Sequence, residues 1–300
     1  MKLLALSDIH DNLGAVRKLR AAETNAFDAI VVAGDIGNRT AGEFFAILST
    51  FECPVTYVFG NWDDELDYGH AFGPRCVPLH LDVVEIGGIA LTGFSGLPVS
   101  WGRNPIALRL RADVEHASRS IVEAYAQAQA DVRRTQNDKP RHDKALAARN
   151  RIARAPEYQH YRDQLRLIKS EAEKLNRQAL RATVKQTDLA RTILVTHERQ
   201  YRLKDELPGL PLHLFGHDHG FSEKASASGT RYVNVSILDR VVKARPRHKP
   251  DWLAEDCRDV DVGNYAVIEI DKAGAFNVRC VHLPADEWVP VQETRSPSLA

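Results

Sequence analysis

Five short clusters of Asp, His and Asn punctuate this chain, and most stand directly behind a short apolar run. They are Asp8-Ile9-His10, Gly34-Asp35-Ile36-Gly37, Gly60-Asn61-Trp62-Asp63, Thr196-His197-Glu198 and Gly216-His217-Asp218-His219. Carboxylate, amide oxygen and imidazole form a mixed hard and borderline donor set that suits divalent first-row ions. One such cluster means little, since a lone Asp-x-His is ordinarily a cap or a turn. Five in series are hard to produce by chance.

The runs before the clusters set the fold class. Leu3–Ser7, Ala29–Ala33 and Val55–Phe59 are apolar and β-branched or aromatic, and each leads into a cluster. Leu13–Ala22 and Ala41–Ser49 lie between them with helical spacing. This βαβαβ order implies parallel strands with right-handed crossovers. Val83–Ile86 and Ile89–Thr92 flank Gly87-Gly88, a hairpin signal. Near Arg191 the pattern resumes, with strands expected at Thr192–Thr196, Leu212–Phe215, Arg231–Ser236, Tyr265–Ile270 and Asn277–Leu283. In open α/β sheets ligands gather beyond the carboxyl ends of strands. The clusters are placed that way.

Between Ile106 and Thr187 strand signals vanish. Leu110, Val114, Ala117, Ile121, Ala124 and Ala128 form one helical seam, and Tyr158 through Ala179 another. The expectation is two long helices, with a shorter third between Pro140 and Pro156, projecting as an antiparallel arm. Residues 103–191 hold twenty Lys and Arg against eleven Asp and Glu, although the whole chain balances at 40 of each. A basic arm on an acidic body follows. Three readings of the arm stay open: a solvated hairpin, a surface for a homodimer or protein partner, and a clamp for nucleic acid. Cation excess favours the clamp, whereas few aromatics there argue against a base-stacking platform.

Cys53, Cys76, Cys257 and Cys280 are scattered, which argues against a Cys-zinc cluster or a disulfide scaffold and fits reduced thiols in the cytoplasm. The first strand begins at Lys2, and no stretch approaches the ~20 apolar residues of a membrane span. A cytoplasmic protein without membrane attachment is expected.

The quoted clusters resemble the motif series of the calcineurin-like metallophosphoesterases over 1–97 and 191–283. That resemblance implies a four-layer α/β/β/α sandwich, an α/β fold carrying the inserted helical hairpin arm. With the strand pattern and helical seams read above, the chain divides into a catalytic domain (1–105 and 188–286), the arm (106–187) and a Pro- and Ser-containing C-terminal tail (287–300). The resemblance implies that Asp8, His10 and His219 hold one metal, that Asn61, His197 and His217 hold another, and that Asp35 bridges both. In an extended Asp8-x-His10 the two side chains point to one side, and His217-x-His219 is read the same way. Small Gly34, Gly60 and Gly216 are expected to let the backbone bend beside crowded ligands. Two divalent ions are implied, manganese foremost, with iron, zinc, cobalt or nickel also compatible with these donors. The implied reaction is hydrolysis of a phosphodiester or phosphomonoester substrate by a hydroxide activated between the metals. Asp35, Asn61, Asp63 and His197 are the expected catalytic residues.

One departure matters. The third motif usually carries His after Asn, near the leaving group, and here that position is Trp62. An indole N–H donates a hydrogen bond but supplies no proton at neutral pH. Asp63 is read as an acceptor that orients a ligand. Trp62, Asn12 and Arg103 are the expected substrate contacts, with packing or loop roles as the alternatives. Glu198 either tunes His197 or forms a surface ion pair. Two other functions remain open: a nuclease gripping its polymer with the arm, and a weakly active, metal-containing interaction protein.

Overall fold

The computed structural model describes residues 1–95, 103–200, 207–244 and 258–284. The expected tail 287–300 and Cys257 lie outside the described residues. The chain divides into two compact units, Met1–Gly102 with Gln178–Ala300, and Arg103–Arg177.

The first unit opens with β1 (Lys2–Leu6), α1 (Leu13–Ala22), β2 (Ala29–Ala33), α2 (Ala41–Ser49), β3 (Val55–Val58) and β4 (Cys76–Pro78). Four parallel strands result, β1 through β4. From the C-terminal part come β13 (Asn264–Ile270), antiparallel to β1, and β14 (Phe276–His282), antiparallel to β13. The six-stranded order is β14-β13-β1-β2-β3-β4.

A second six-stranded sheet holds β5 (Val83–Ile86), β6 (Ile89–Phe94), β7 (Thr192–Thr196), β8 (Leu212–Phe215), β9 (Ser222–Ala225) and β10 (Arg231–Asn234). Its order is β5-β6-β7-β8-β10-β9, with the four middle strands parallel and both edges antiparallel. A small antiparallel pair, β11 (Val241–Ala244) and β12 (Arg258–Asp261), completes the strands. The result is a mixed α/β fold of two six-stranded sheets flanked by helices.

Burial explains why the strand runs are continuously apolar. Ala29, Val31 and Ala33 of β2 join Leu3, Ala5, Ile193, Val195, Leu212 and Leu214 in the core between the sheets. Ile30 and Val32, with Leu4 and Leu6, face the opposite way, onto Val16 and Leu19 of α1 and Phe44, Phe45 and Leu48 of α2. A parallel strand covered on both faces has no polar alternation. Each such leucine contributes roughly 1.5–3 kcal/mol of burial. Cys53, Cys76 and Cys280 are free thiols. Among the described residues no helix is long and apolar enough to cross a membrane.

His213 on β8 is fully buried. The Thr196 hydroxyl donates to the Glu198 carbonyl at 2.6 Å, so His213 Nε2–H donates to Thr196 Oγ1 at 2.8 Å. Burial, helped by the nearby Arg199 charge, pushes its pKa down to about 3. Because the folded-state pKa lies below the unfolded one, its neutral form contributes stability that is complete above about pH 6.5 and is lost as pH falls from there toward about 3. The slope is about 1.4 kcal/mol per pH unit, or roughly 2 kcal/mol between pH 6.5 and pH 5. Urea unfolding of wild type and His213→Gln at pH 7.5 and pH 5 should show the smaller acid loss in the variant. Equal losses would exclude His213 as a source of acid sensitivity.

The second unit is helical: α3 (Pro105–Ala117), α4 (Arg119–Arg134), α5 (Lys139–Ala153) and the first part of α6 (Pro156–Val184). The expected first long helix is in fact two, broken at Ser118 (φ −101°, ψ 7°). The Ser118 side chain makes no capping hydrogen bond there, and an apolar seam does not register such a break. The second long helix is present as the 29-residue α6. Contacts of His142 Nδ1 with the Val132 carbonyl and of Arg149 with Gln129 mark α4 and α5 as an antiparallel pair. Tyr125 stacks on Tyr158, joining α4 to α6. Buried Asn104 and Asn176 exchange side-chain hydrogen bonds at 3.0 and 3.3 Å.

Candidate metal centre

Each cluster follows a strand: β1 delivers Asp8 and His10, β2 Asp35, β3 Asn61, β7 His197, and β8 His217 and His219. Their convergence does not rest on extended backbone, contrary to the expectation for Asp8-x-His10 and His217-x-His219. Asp8 (φ 54°), His10 (48°), Asp35 (55°), His217 (69°) and His219 (48°) all take left-handed conformations. Such residues are uncommon, and a cluster of them marks a place where the surrounding structure holds a costly backbone.

Hydrogen bonds supply that hold. Ile9 and His10 N–H both donate to the Asp35 carbonyl, and Asp8 N–H donates to the Gly34 carbonyl. His217 N–H donates to the Asp8 carboxylate at 3.1 Å. Gly216 and Gly60 provide room more than bending: a Cβ on Gly216 would overlap Ser7 Oγ, and one on Gly60 would overlap Asp35 Oδ1. Gly34 does adopt the left-handed conformation, at φ 87°.

At the centre sits the Asp35 carboxylate, almost fully buried. Its Oδ2 lies 3.3 Å from His10 Nε2 and 3.2 Å from His197 Nε2, while Oδ1 accepts Trp62 N–H at 2.8 Å. Asp8 Oδ1 lies 3.5 Å from His219 Nε2 and 3.9 Å from His10 Nε2. Asn61 Oδ1 is 3.2 Å from His197 Nε2. The His197 and His217 rings meet edge-on, 5.3 Å between centroids. Asp8, His10 and His219 form one group of potential ligands, and Asp8, Asp35 and His197 another, with the ligand atoms of each group within 4.8 Å of one another.

The donor set fits divalent ions. Ligand atoms about 2.0–2.2 Å from a tetrahedral centre are separated by ~3.3–3.6 Å, close to most of these spacings. The imidazoles are oriented for it as well. His197 Nδ1–H donates to the Ala33 carbonyl at 2.8 Å, and His10 Nδ1–H to Asp239 at 3.2 Å, so both rings turn Nε2 toward Asp35. A second ring nitrogen fixed by an acceptor is the usual support for a metal-binding histidine.

Electrostatics agree. Burial pulls His197 down, but its bond to Asp35 and the charges of Asp35 and Asp8 outweigh that and carry it up to about 9. His10 reaches about 9 in the same way, through Asp239 and Asp35. Burial opposes ionisation of Asp35, yet bonds from His10 and His197 hold its carboxyl well below the usual carboxylate range. Burial raises Asp8, with the Asp35 charge adding to it. The cluster therefore attracts positive charge strongly.

The remaining expected residues are placed differently. Asp63 is buried, and its two oxygens accept Gly37 and Gly60 N–H, each at 2.7 Å, bracing the second and third motif loops. Burial and the Asp35 charge raise it to about 6, against those two bonds. Asn12 caps α1 through Ala15 N–H and gives both amide hydrogens to Asp239 and Asp261, each at 2.9 Å. Its side chain thus reaches the cluster through Asp239 and His10. Trp62 lies against His10, with ring centroids 4.6 Å apart. Glu198 accepts the Thr196 hydroxyl through its carbonyl. Arg103 belongs to the helical unit and is exposed. Asp239 was missed from sequence: its carboxylate holds His10, and its N–H donates to the Asp8 carbonyl at 2.9 Å. The available signal was its place shortly beyond β10, another parallel strand.

A family model for the calcineurin-like phosphoesterase superfamily domain matches residues 1–246. No curated protein sequence matches. Solved structures with similarity include a conserved uncharacterized protein, a predicted phosphoesterase, from Streptococcus pneumoniae (15% identity, 95% of this chain and 91% of that one, TM-score 0.38). Others are a phosphopantetheinyl hydrolase from Mycobacterium tuberculosis (16% identity, 86% and 95%, TM-score 0.39) and a dimetal phosphatase from Danio rerio (9%, 95% and 99%, TM-score 0.41). These likenesses are loose, and the family assignment rests on the family model.

Proposed function

The chain belongs to the calcineurin-like phosphoesterase superfamily, and on that premise we propose that it is a two-metal phosphodiesterase. The observation that supports this best is the single Asp35 oxygen facing His10 and His197 together, at 3.3 and 3.2 Å. Asp8, His10 and His219 would hold one cation, Asn61, His197 and His217 the other, and Asp35 would be shared between them. Manganese is the first choice of metal for this oxygen and imidazole set, with iron, zinc, cobalt or nickel as alternatives. When bound, such a pair supplies an activated water and neutralises charge on the phosphoryl oxygens.

The chain's own side chains do the rest. Asp239 and the Ala33 carbonyl keep His10 and His197 in the tautomer that offers Nε2. Asp63 fixes the loop carrying Asn61 and Trp62. Trp62, which stands where related enzymes carry His, cannot protonate a leaving group. That favours diesters and esters with good leaving groups over simple alkyl phosphates.

The test is hydrolysis of bis(p-nitrophenyl) phosphate and p-nitrophenyl phosphate by metal-stripped protein resupplied with manganese. Metal-dependent turnover with the diester faster is expected. Inactivity with every first-row metal, despite metal binding, would overturn the proposal in favour of an interaction protein.

A further inference from the structure

Trp62 is the sole exposed Phe, Tyr or Trp among the described residues, with 46% of its surface accessible. Its backbone is not free to move. Trp62 N–H is held by Asp35 at 2.8 Å, Asp63 clamps Gly37 and Gly60 N–H, Asn38 donates to Asp64 at 2.8 Å, and Glu65 N–H donates to Asn38 at 3.1 Å. The indole itself leans on the His10 imidazole at 4.6 Å with a 41° tilt, and His10 in turn lies 5.0 Å from the His219 ring. A large apolar ring is therefore held beside the Asp35 cluster, in tilted contact with His10 and with 46% of the residue's surface open to solvent.

Rigid display matters physically. A fixed aromatic surface loses little conformational entropy when a ligand covers it. Aromatic rings gain most from offset stacking with another flat π-system, and far less from a flexible polar chain. A phosphoester at the Asp35 cluster places its ester substituent next to this ring.

Resting on the phosphoesterase reading, we propose that Trp62 is the specificity-determining side chain of this site and takes a planar aromatic group, an aryl ring or a nucleobase, carried by the phosphoester. It acts by stacking and performs no proton transfer.

Calorimetric titration of the manganese-loaded full chain tests this with two matched pairs: adenosine monophosphate against ribose 5-phosphate, and phenyl phosphate against methyl phosphate. In wild type the ring-bearing member of at least one pair should bind about 10–100-fold tighter. The adenosine pair reports a nucleobase and the phenyl pair a ring on the ester oxygen itself. Trp62→Ala should collapse the preference to within about 3-fold, and Trp62→Phe should keep most of it. Metal content of both variants should match wild type, and their melting curves report folding. Ratios near one in wild type, or a ratio unchanged in Trp62→Ala, would overturn the proposal. Failure of the phosphoesterase reading looks different: inorganic phosphate would then show no manganese-dependent binding to wild type at all.

Discussion

Asp35→Asn should lower turnover of bis(p-nitrophenyl) phosphate by about 10³-fold and reduce bound metal from two ions to one or fewer per chain. Asn is nearly isosteric, and its carbonyl oxygen can still accept Trp62 N–H as Asp35 Oδ1 does at 2.8 Å. The turn bearing Asn61 should therefore stay in place. What disappears is the anionic oxygen between His10 and His197. Asp35 is held ionised by those two partners despite its burial, so near neutral pH the substitution removes a full charge. Without it a pair of divalent ions would have no shared anion to offset their repulsion, and the second should bind far more weakly. Elemental analysis of dialysed protein and initial rates at saturating manganese check both parts. Metal content and turnover like wild type would show that Asp35 does not bridge, and the assignment of the whole centre would fall with it.

The sequence exposed the parts of this fold that burial dictates. β2, β7 and β8, and helices α1 and α2, fall on the residues expected of them, because buried strands are predominantly apolar, with His213 the polar exception in β8, and a helix on a sheet must show a 3.6-residue stripe. Two of the four sheet edges, β4 and β9, were not legible. β9 is Ser-Glu-Lys-Ala and wholly exposed, and β4 ends in proline at a sheet edge. Neither carries a hydrophobic pattern, since edge strands are kept polar or proline-bearing. The candidate ligands were visible because strand ends collect them, but their geometry was not. Left-handed backbone at Asp8, His10, Asp35, His217 and His219 is imposed by bonds between motifs far apart in the chain. Asp239 pairs with His10 across 229 positions, and no local spacing encodes that.

Trp62→His should raise kcat for a dialkyl phosphodiester by about 10²-fold, while kcat for a p-nitrophenyl diester should change less than about 3-fold and its KM should rise as indole stacking is lost. The braced turn keeps the new side chain at the same place, beside His10 and within the same motif. An imidazolium there can protonate an alkoxide as it leaves, whereas the indole only donates a hydrogen bond. A p-nitrophenolate departs without that help, so its rate is nearly indifferent. The pH dependence provides the signature. A general acid works in its protonated form, so the gained activity should fall as pH rises through the pKa of the introduced histidine. In the metal-loaded protein the bound cations would disfavour the imidazolium, which should place that limb below the ordinary value of about 6.5. Trp62→Asn supplies the control, because an amide donates a hydrogen bond and does not titrate. An equal gain in the Asn variant, or no descending limb in the His variant, would show that proton supply is not what this site lacks.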